Sequence, residues 1–568
     1  MHNPFEDFDE VFFAICKNVN TPFSLSRWLR WKYKDFTSAA SIDPASYDTA
    51  YSFSKDYLVA SWASKAQVNL EGINLKEKAL ASFKADESFN KETNQKFKSW
   101  NACGGTPHAE FLVHGIQRKI ASILGPLDIA SILNRCRFGN GATATLSRRR
   151  SRVDHKITTL PFSVSPAALG YARLVIESDP LWGSAICRSP VEGPFSLLPS
   201  CFEVIDYNKF DTVPKSLTGD RTIAKEPVLN GFLQQGVHVF LRERLAKIGV
   251  DLRDQTRNQY LASIAHVERL ATIDAEHASN SVTKGLIELL LPPDWFEFLN
   301  ILRSRRTLLP DGTVHKNEMF SSMGNAFTFE LETLVFYSIL HTVCRGSRMV
   351  SVYGDDMIVP QEFGDESISA LALFGFRVNR TKTFLSGRFF ESCGKHYFDG
   401  LEVTPAYQKR PPRSNLAERI RAHNRLIRWA SRVGGGNFLD PTVRAPCALL
   451  ARGQNKSLFG PIGPKGDSYF QVPFGNFRVV YGHALVLSWK ARIKRSRTRQ
   501  AGSYAYWIRL RNESFNCDLE AQQHTGGGPE VNLDPLVLSE YCEESSYGFK
   551  TERISVSEIQ VDVDWLTF

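Results

Sequence analysis

The segment "SVYGDDMIVP" (351–360) sets two aspartates, Asp355 and Asp356, side by side between short apolar runs. Both runs have the composition of strands, and Gly354 opening a two-residue turn is the type II′ hairpin signature. Two like charges packed at such a turn are costly unless a cation is held there. A hard divalent ion such as Mg²⁺ removes that penalty, because it binds carboxylate oxygens and shares them with substrate phosphates. Two such ions about 3.5–4 Å apart activate an attacking hydroxyl and stabilise a leaving oxygen in nucleotidyl transfer. That chemistry needs a further carboxylate from another strand. Asp274, in "RLATIDA" (269–275), sits where a short predicted strand ends and is the candidate. Alone, the dipeptide also reads as a polar hairpin turn. The tetrapeptide Tyr-Gly-Asp-Asp is more specific, since average residue usage produces it on the order of once in a few hundred chains of this length.

The elements that must position these residues are legible from periodicity. "AEFLVHGIQRKIASILG" (109–125) carries apolar residues at helical spacing and stops at Gly-Pro. "GFLQQGVHVFLRERLAKIGV" (231–250) reads as an amphipathic helix, and "MGNAFTFELETLVFYSILHTV" (323–343) as a long helix entered through a glycine. Residues 1–135 read as mostly helical, and 136–200, richer in Gly, Pro and Ser, as irregular. Beyond 405 short helices are expected up to 435. Breaks follow at "GGGN" (434–437) and "TGGGP" (525–529). No internal repeat is present.

Composition narrows the class. The 568 residues carry a net charge of +9, with basic clusters at 147–152, 303–306, 409–413 and 490–499. Each cluster alone reads as solvated surface. Together, with Trp489, Tyr504, Tyr506 and Trp507 nearby, they lean toward a nucleic-acid channel. Ten cysteines without a Cys-x-x-Cys pair fit a reducing compartment and exclude a disulfide framework or zinc finger. Cys393 and His396 in "CGKH" lack a second pair and read as packing residues. No apolar run approaches a membrane span, and the acidic "MHNPFEDFDEVFF" lacks the order of a signal peptide. A soluble cytoplasmic protein is expected.

"YGDD" between strands is a signature of viral RNA-dependent RNA polymerases, and the surrounding blocks resemble one group of them. These are the replicase catalytic subunits of the small RNA bacteriophages, the levivirids. "VPKSLTGDRTIAKEP" (213–227), "GVDLRDQTRNQ" (249–259), "LLLPPDWFE" (289–297), "FSSMGNAFTFELETLVF" (320–336), "VYGDDMIVP" (352–360) and "ESCGKHYF" (391–398) carry the resemblance. It is strong over 200–410, patchy before and thin after. It implies an α+β, right-handed polymerase fold of fingers, palm and thumb, with an antiparallel-sheet palm and a helical N-terminal part. The implied division is 1–200 for the helical region and part of the fingers, 201–268 for fingers, 269–404 for palm, and 405–568 for thumb and C-terminal region.

The resemblance further implies RNA-directed RNA polymerase activity, replicating a single-stranded RNA phage genome. Asp274, Asp355 and Asp356, with the main-chain carbonyl of Ala275, would hold two Mg²⁺ ions, for which Mn²⁺ is an expected substitute. Lys215, Arg221 and Lys225 match positions lining the nucleotide channel, where Arg and Lys donors suit a triphosphate. Ser322, Gly324 and Asn325 match the loop beneath the template base and ribose, and an Asn can read a 2′-hydroxyl. Lys382 matches the lysine beside the leaving pyrophosphate, as general acid or as neutralising charge. Asn280 departs from the pattern, which usually has a second aspartate there, near the ribose; Glu276 and His277 replace small residues. Expected partners are template and product RNA, ribonucleoside triphosphates and host translation factors (elongation factors Tu and Ts, ribosomal protein S1), with no membrane, in the bacterial host cytoplasm.

The same residues admit other readings. A reverse transcriptase shares paired aspartates, but usually differs at the position of Gly354. A catalytically impaired polymerase fold, kept to bind RNA or hold a complex together, is the alternative of another class. A P-loop fails, because "GRFFESCGK" (387–395) has the wrong glycine spacing and no Ser or Thr after its lysine.

Overall fold

The computed structural model describes residues 6–36, 42–68, 72–492, 546–555 and 564–565, apart from 140, 152, 180–181, 184–185, 187–198, 437, 464–465 and 474. The chain opens with helices α1 (Glu6–Val19), α2 (Pro22–Lys32), α3 (Ala50–Ser61), the long α4 (Leu75–Cys103) and α5 (Pro107–Leu124). Thr21, Thr49, Asn74 and Thr106 precede α2 to α5, and each side chain accepts a backbone N–H of the first turn. The hairpin β1 (Asn208–Ser216) and β2 (Gly219–Lys225) follows, then α6 (Val228–Lys247) and α7 (Thr256–Glu268). Next come β3 (Leu270–Glu276), β4 (Arg306–Leu308), β5 (Val314–Lys316) and α8 (Thr328–Val343). The tyrosine-bearing hairpin is β6 (Ser351–Tyr353) and β7 (Asp356–Pro360), after which come β8 (Arg377–Val378), β9 (Phe389–Ser392), β10 (Lys395–Phe398) and β11 (Leu401–Glu402). Helices α9 (Leu416–Val433) and α10 (Arg444–Ala451) lead into the C-terminal part.

Two four-stranded sheets organise the middle. The central one has the order β8-β3-β7-β6 and is antiparallel throughout. The other has the order β2-β1-β4-β5, with β1 and β4 parallel. Side chains alternate across a strand with period two. Along β3, Ala271, Ile273 and Ala275 therefore enter the main core, joined by Met357 and Val359 of β7 and by helices α5, α6 and α8. Leu270 and Ile358 point to the opposite face, onto Leu261, Ala262 and Ala265 of α7 and Phe390 of β9. The central sheet is thus covered on both faces, and its polar strand ends are where chemistry can be exposed.

Some expectations are revised. Gly324 does not open the helix; residues 323–327 form a loop and α8 begins at Thr328. The short helices expected before 435 include one helix of 18 residues, α9. It is amphipathic, and its Leu426, Ile427 and Trp429 share a core with Phe8, Phe12, Trp31 and Trp62 of the N-terminal helices. Of the basic clusters, Arg303 is buried against the Phe320 ring at 5.1 Å and bonded to the carbonyls of Met319 and Phe320, so it supports the fold. Residues 493–499 of the last cluster, Tyr504, Tyr506, Trp507 and "TGGGP" lie outside the described residues.

Phe53 of α3 ties the N-terminal part to the small β9-β10-β11 sheet. It is fully buried, 5.3 Å from Phe389 and 5.4 Å from Phe398 between ring centroids. Phe53→Ala is expected to cost about 3–5 kcal/mol, read as a lowered midpoint of urea or thermal unfolding.

Candidate active site

The register of the central sheet assembles the carboxylates. Asp274 of β3 is the direct cross-strand partner of Asp356 on β7, and Tyr353 of β6 pairs with Asp356, leaving Gly354 and Asp355 as the turn. Gly354 has φ +61° while Asp355 has no positive φ, as a type II′ turn requires. A Cβ on Gly354 would lie 2.2 Å from Cε2 of Phe329, and its N–H donates to Thr333 Oγ1 at 3.1 Å. The turn is thereby seated on α8. Beneath it, Asn258 of α7 donates Nδ2 to the Asp356 carbonyl at 3.1 Å and accepts from Ser351 Oγ at 2.7 Å.

Each strand carboxylate is held on one oxygen. Asn379 Nδ2 donates to Asp274 Oδ2 at 3.0 Å, and the Asn379 N–H to the Asp274 carbonyl at 2.8 Å. The Cys393 N–H donates to Asp356 Oδ1 at 3.0 Å. Asp274 Oδ1, Asp356 Oδ2 and the Asp355 carboxylate accept no hydrogen bond among the described residues. Burial raises the Asp274 carboxyl above its ordinary range; Lys382 opposes the rise and Asp355 adds to it. Burial pushes Asp356 up to about 7, opposed by the Cys393 N–H and reinforced by Asp355 and Asp274. This is an accumulation of negative charge without a matching cation in contact. All the free donors are carboxylate oxygens, the set a hard divalent ion takes. Among the described residues no three such side chains are drawn onto a single point.

Cations surround this acidic strand end. Lys215, in the β1–β2 hairpin, has its pKa lowered by desolvation and by Arg221 and Lys382, against the pull of Asp274 and Asp355. Lys382 is held above its ordinary value: desolvation would lower it, but Asp274, Glu391, Asp356 and Asp355 outweigh that. Lys225 is placed differently. Its ammonium pairs with Asp211 on the neighbouring strand, within the hairpin. Ala275 continues β3 opposite Val378.

The loop before α8 closes another side. Gly324 has φ +123°, and a Cβ there would sit 2.1 Å from the Ala224 carbonyl oxygen, so only glycine lets the loop lie on β2. The Ala224 N–H donates to the Met323 carbonyl at 2.8 Å. Ser322 is buried, accepting from Asn208 Nδ2 at 3.4 Å. Asn325 is buried too; its Oδ1 accepts from the Phe327 N–H, and its Nδ2 has no partner. A buried orphan donor is rare.

Sequence reasoning missed Asn258, Asn379, Thr333 and Glu332. Asn379 lies in "FGFRVNRTKTF", a polar residue just past a predicted strand. Glu332 was signalled by a charge inside an apolar helical run. It is 2% exposed and accepts from Ser279 Oγ at 2.6 Å. Cys393 and His396 are buried, and His396 Nδ1 bonds Tyr57 Oη at 2.6 Å.

The chain belongs to the RNA replicase, beta-chain family, whose signature matches residues 14–528. It is 38% identical over 399 residues to the RNA-directed RNA polymerase subunit beta of Qbeta virus (strain MX1), covering 69% of this chain and 64% of that one. It is 31% identical over 526 residues to the RNA-directed RNA polymerase beta chain of Enterobacteria phage fr, covering 88% and 92%. The match thus spans under two thirds of the Qbeta relative's length. Among solved structures, the RNA-dependent RNA polymerase of a human picorbirnavirus is 14% identical with a TM-score of 0.31, covering 44% of this chain and 58% of that one.

Burial raises the Glu332 carboxyl to about 8, with Asp355 adding to the rise. The folded chain therefore keeps a proton that the unfolded chain releases near 4.5, and stability falls as pH climbs from there to about 8. Glu332→Gln removes the titration. Its stability relative to the parent is expected to rise across that window and level off above it, measured by urea unfolding at several pH values.

Proposed function

We propose that this chain is an RNA-directed RNA polymerase, the catalytic subunit of a phage replicase, copying single-stranded RNA by two-metal nucleotidyl transfer. The observation that carries the reading is the cross-strand pairing of Asp274 with Asp356, with Asp355 in the adjoining turn. In this reading the central sheet is the palm, the β1–β2 hairpin with its sheet belongs to the fingers, and α9 and α10 belong to the thumb.

Asp274, Asp355 and Asp356 would hold Mg²⁺, which when bound supplies charge stabilisation and a more nucleophilic hydroxyl. The chain's own residues do the rest. The 3′-hydroxyl of the growing RNA attacks the α-phosphate of a ribonucleoside triphosphate, and pyrophosphate leaves. Lys215 and Arg221 meet the triphosphate, and Lys382 neutralises or protonates the departing oxygen. Gly324 seats the loop on β2, and Asn325 of that loop offers its unpartnered Nδ2 to the sugar or base. Such catalysis is mostly positioning and electrostatics. Template and product RNA are the macromolecular partners. Elongation factors Tu and Ts and ribosomal protein S1 are the proposed host partners, in the bacterial cytoplasm.

The test is incorporation of labelled ribonucleotides on an RNA template, dependent on Mg²⁺. Asp355→Asn is expected to reduce turnover by orders of magnitude while RNA binding persists; near-normal synthesis by this variant rejects the reading. Asn379→Ala, which frees Asp274, is expected to lower metal affinity or activity about 10–100-fold, read by Mg²⁺ titration of synthesis.

A further inference from the structure

Past α10 the chain folds back over α9. The parallel pair β12 (Phe459–Pro461) and β13 (Phe470–Val472) packs there, β13 on α9 and β12 on the strand β14 (His483–Arg492). Gly460 lets β12 and β14 meet, since a Cβ there would lie 2.6 Å from Val486 Cγ2. Between these elements lies a cavity of about 990 Å³. Ile427, Phe459, Phe477 and Leu487 give it an apolar wall, and Phe459 is stacked on Phe470 with ring centroids 5.4 Å apart. Lys456 and Arg478 also line it; both are exposed, and neither forms an ion pair among the described residues. Arg444 adds a third cation, and no acidic residue lines the cavity among the described residues. None of the groups around Asp274, Asp355 and Asp356 takes part in it.

A buried imidazole reaches the same cavity from α9. His423 lines it and is 3% exposed. Its neighbour Asn424 fixes the tautomer. Asn424 Nδ2 donates to the Tyr469 carbonyl at 2.8 Å, and Asn424 Oδ1 accepts the Gln471 N–H at 2.9 Å. The amide oxygen is an acceptor only, so His423 Nδ1, 3.1 Å from it, carries the proton. Burial pushes the imidazole down to about 4, against the pull of Asn424 and Asp467, so the ring is neutral at neutral pH. Nε2 therefore keeps its lone pair, and no donor among the described residues meets it. The cavity thus combines an apolar, partly aromatic wall, unpaired cations at its edge and one deep acceptor. Phosphate oxygens suit the cations, a flat heterocycle suits the wall, and an N–H on that heterocycle suits Nε2.

We propose that this cavity is a second nucleotide site, separate from the strand-end aspartates: the base lies against Phe459 and gives an N–H to His423 Nε2, while the phosphates meet Lys456 and Arg478. A free nucleoside triphosphate and a nucleotide within an RNA strand share this chemistry. The volume is that of an ordinary small-ligand site. The inference goes beyond the polymerase reading and does not depend on it, because binding alone decides it.

The test is photolabelling of the full chain with 8-azido-ATP in EDTA, with labelled peptides mapped by mass spectrometry. Label is expected on peptides from 444–459 or 477–487. ATP should compete about tenfold better than purine riboside triphosphate, whose base has no N–H, because a site built to bond a donor rejects the analogue lacking it. In His423→Phe the two competitors should come within about twofold of each other. Lys456→Glu combined with Arg478→Glu, both at exposed positions, should weaken labelling about fivefold or more. Competition by a short oligoribonucleotide at about a tenth of the ATP concentration assigns the site to an RNA strand, and the reverse order assigns it to free nucleotide; either result upholds it. Absence of label from these peptides overturns the proposal. So does equal competition by ATP and purine riboside triphosphate on the parent, or displacement by polyglutamate as effective as that by the oligoribonucleotide. Should His423→Phe fail to fold, the two competitors on the parent chain decide.

Discussion

An antiparallel ladder holding like charges together is the constraint around which this structure is arranged. Asp274 and Asp356 face one another because β3 and β7 pair in that register, and the tight turn then leaves Asp355 no room to move far away. A slip of one residue would send every side chain of the strand to the opposite face. Ala271, Ile273 and Ala275 would leave the main core, so the hydrophobic pattern enforces a pairing that electrostatics alone opposes. The repulsion appears in the carboxyls themselves, with Asp356 pushed up to about 7 mainly by burial and further by its two acidic neighbours.

The surroundings limit the freedom of those carboxylates without neutralising them. Asn379 and the Cys393 N–H each occupy a single oxygen, and Asn258 binds the backbone beneath. All are neutral donors, which orient a carboxylate while leaving its charge available to a cation. The formal cations, Lys215 and Lys382, act on the group through space, and no ion pair between either and the three aspartates is formed among the described residues. Direct pairing would have satisfied the acids and closed the site. The glycine contacts follow the same logic: Gly354 against Phe329 and Gly324 against Ala224 bring backbone where a side chain would hold the walls apart.

Much of this was legible from residue order, and the remainder was hidden for identifiable reasons. The hairpin at 351–360 could be read because alternation and a glycine turn are local signals. β3 was legible to within two residues of its end at Glu276. The entry to α8 was misplaced because Gly324 is needed for its contact with β2, a tertiary demand that helical periodicity does not encode. The single long α9 was underestimated because many charges line it, and its apolar stripe makes sense only beside the N-terminal helices. Lys225 shares its strand with Arg221, yet its ammonium is taken by Asp211 from across the hairpin, a pairing that spacing along the chain cannot disclose. Asn258, Asn379 and Asp86 are ordinary polar residues in sequence, distinguished only by what folding sets beside them.

Asp86 and Glu332 show how environment assigns opposite roles to the same functional group. Both are 2% exposed and both lie on helices packed around the strand end. Asp86 meets an arginine, an imidazole and an amide, so its charge survives burial and can orient them. Glu332 meets one hydroxyl and the field of Asp355, so burial keeps its proton on at neutral pH. A second buried anion at that depth would raise the local repulsion that the ladder already withstands. The neutral acid adds a hydrogen-bonding group without adding charge, and that leaves the aspartates of the strand ends as the concentration of negative charge at this end of the sheet.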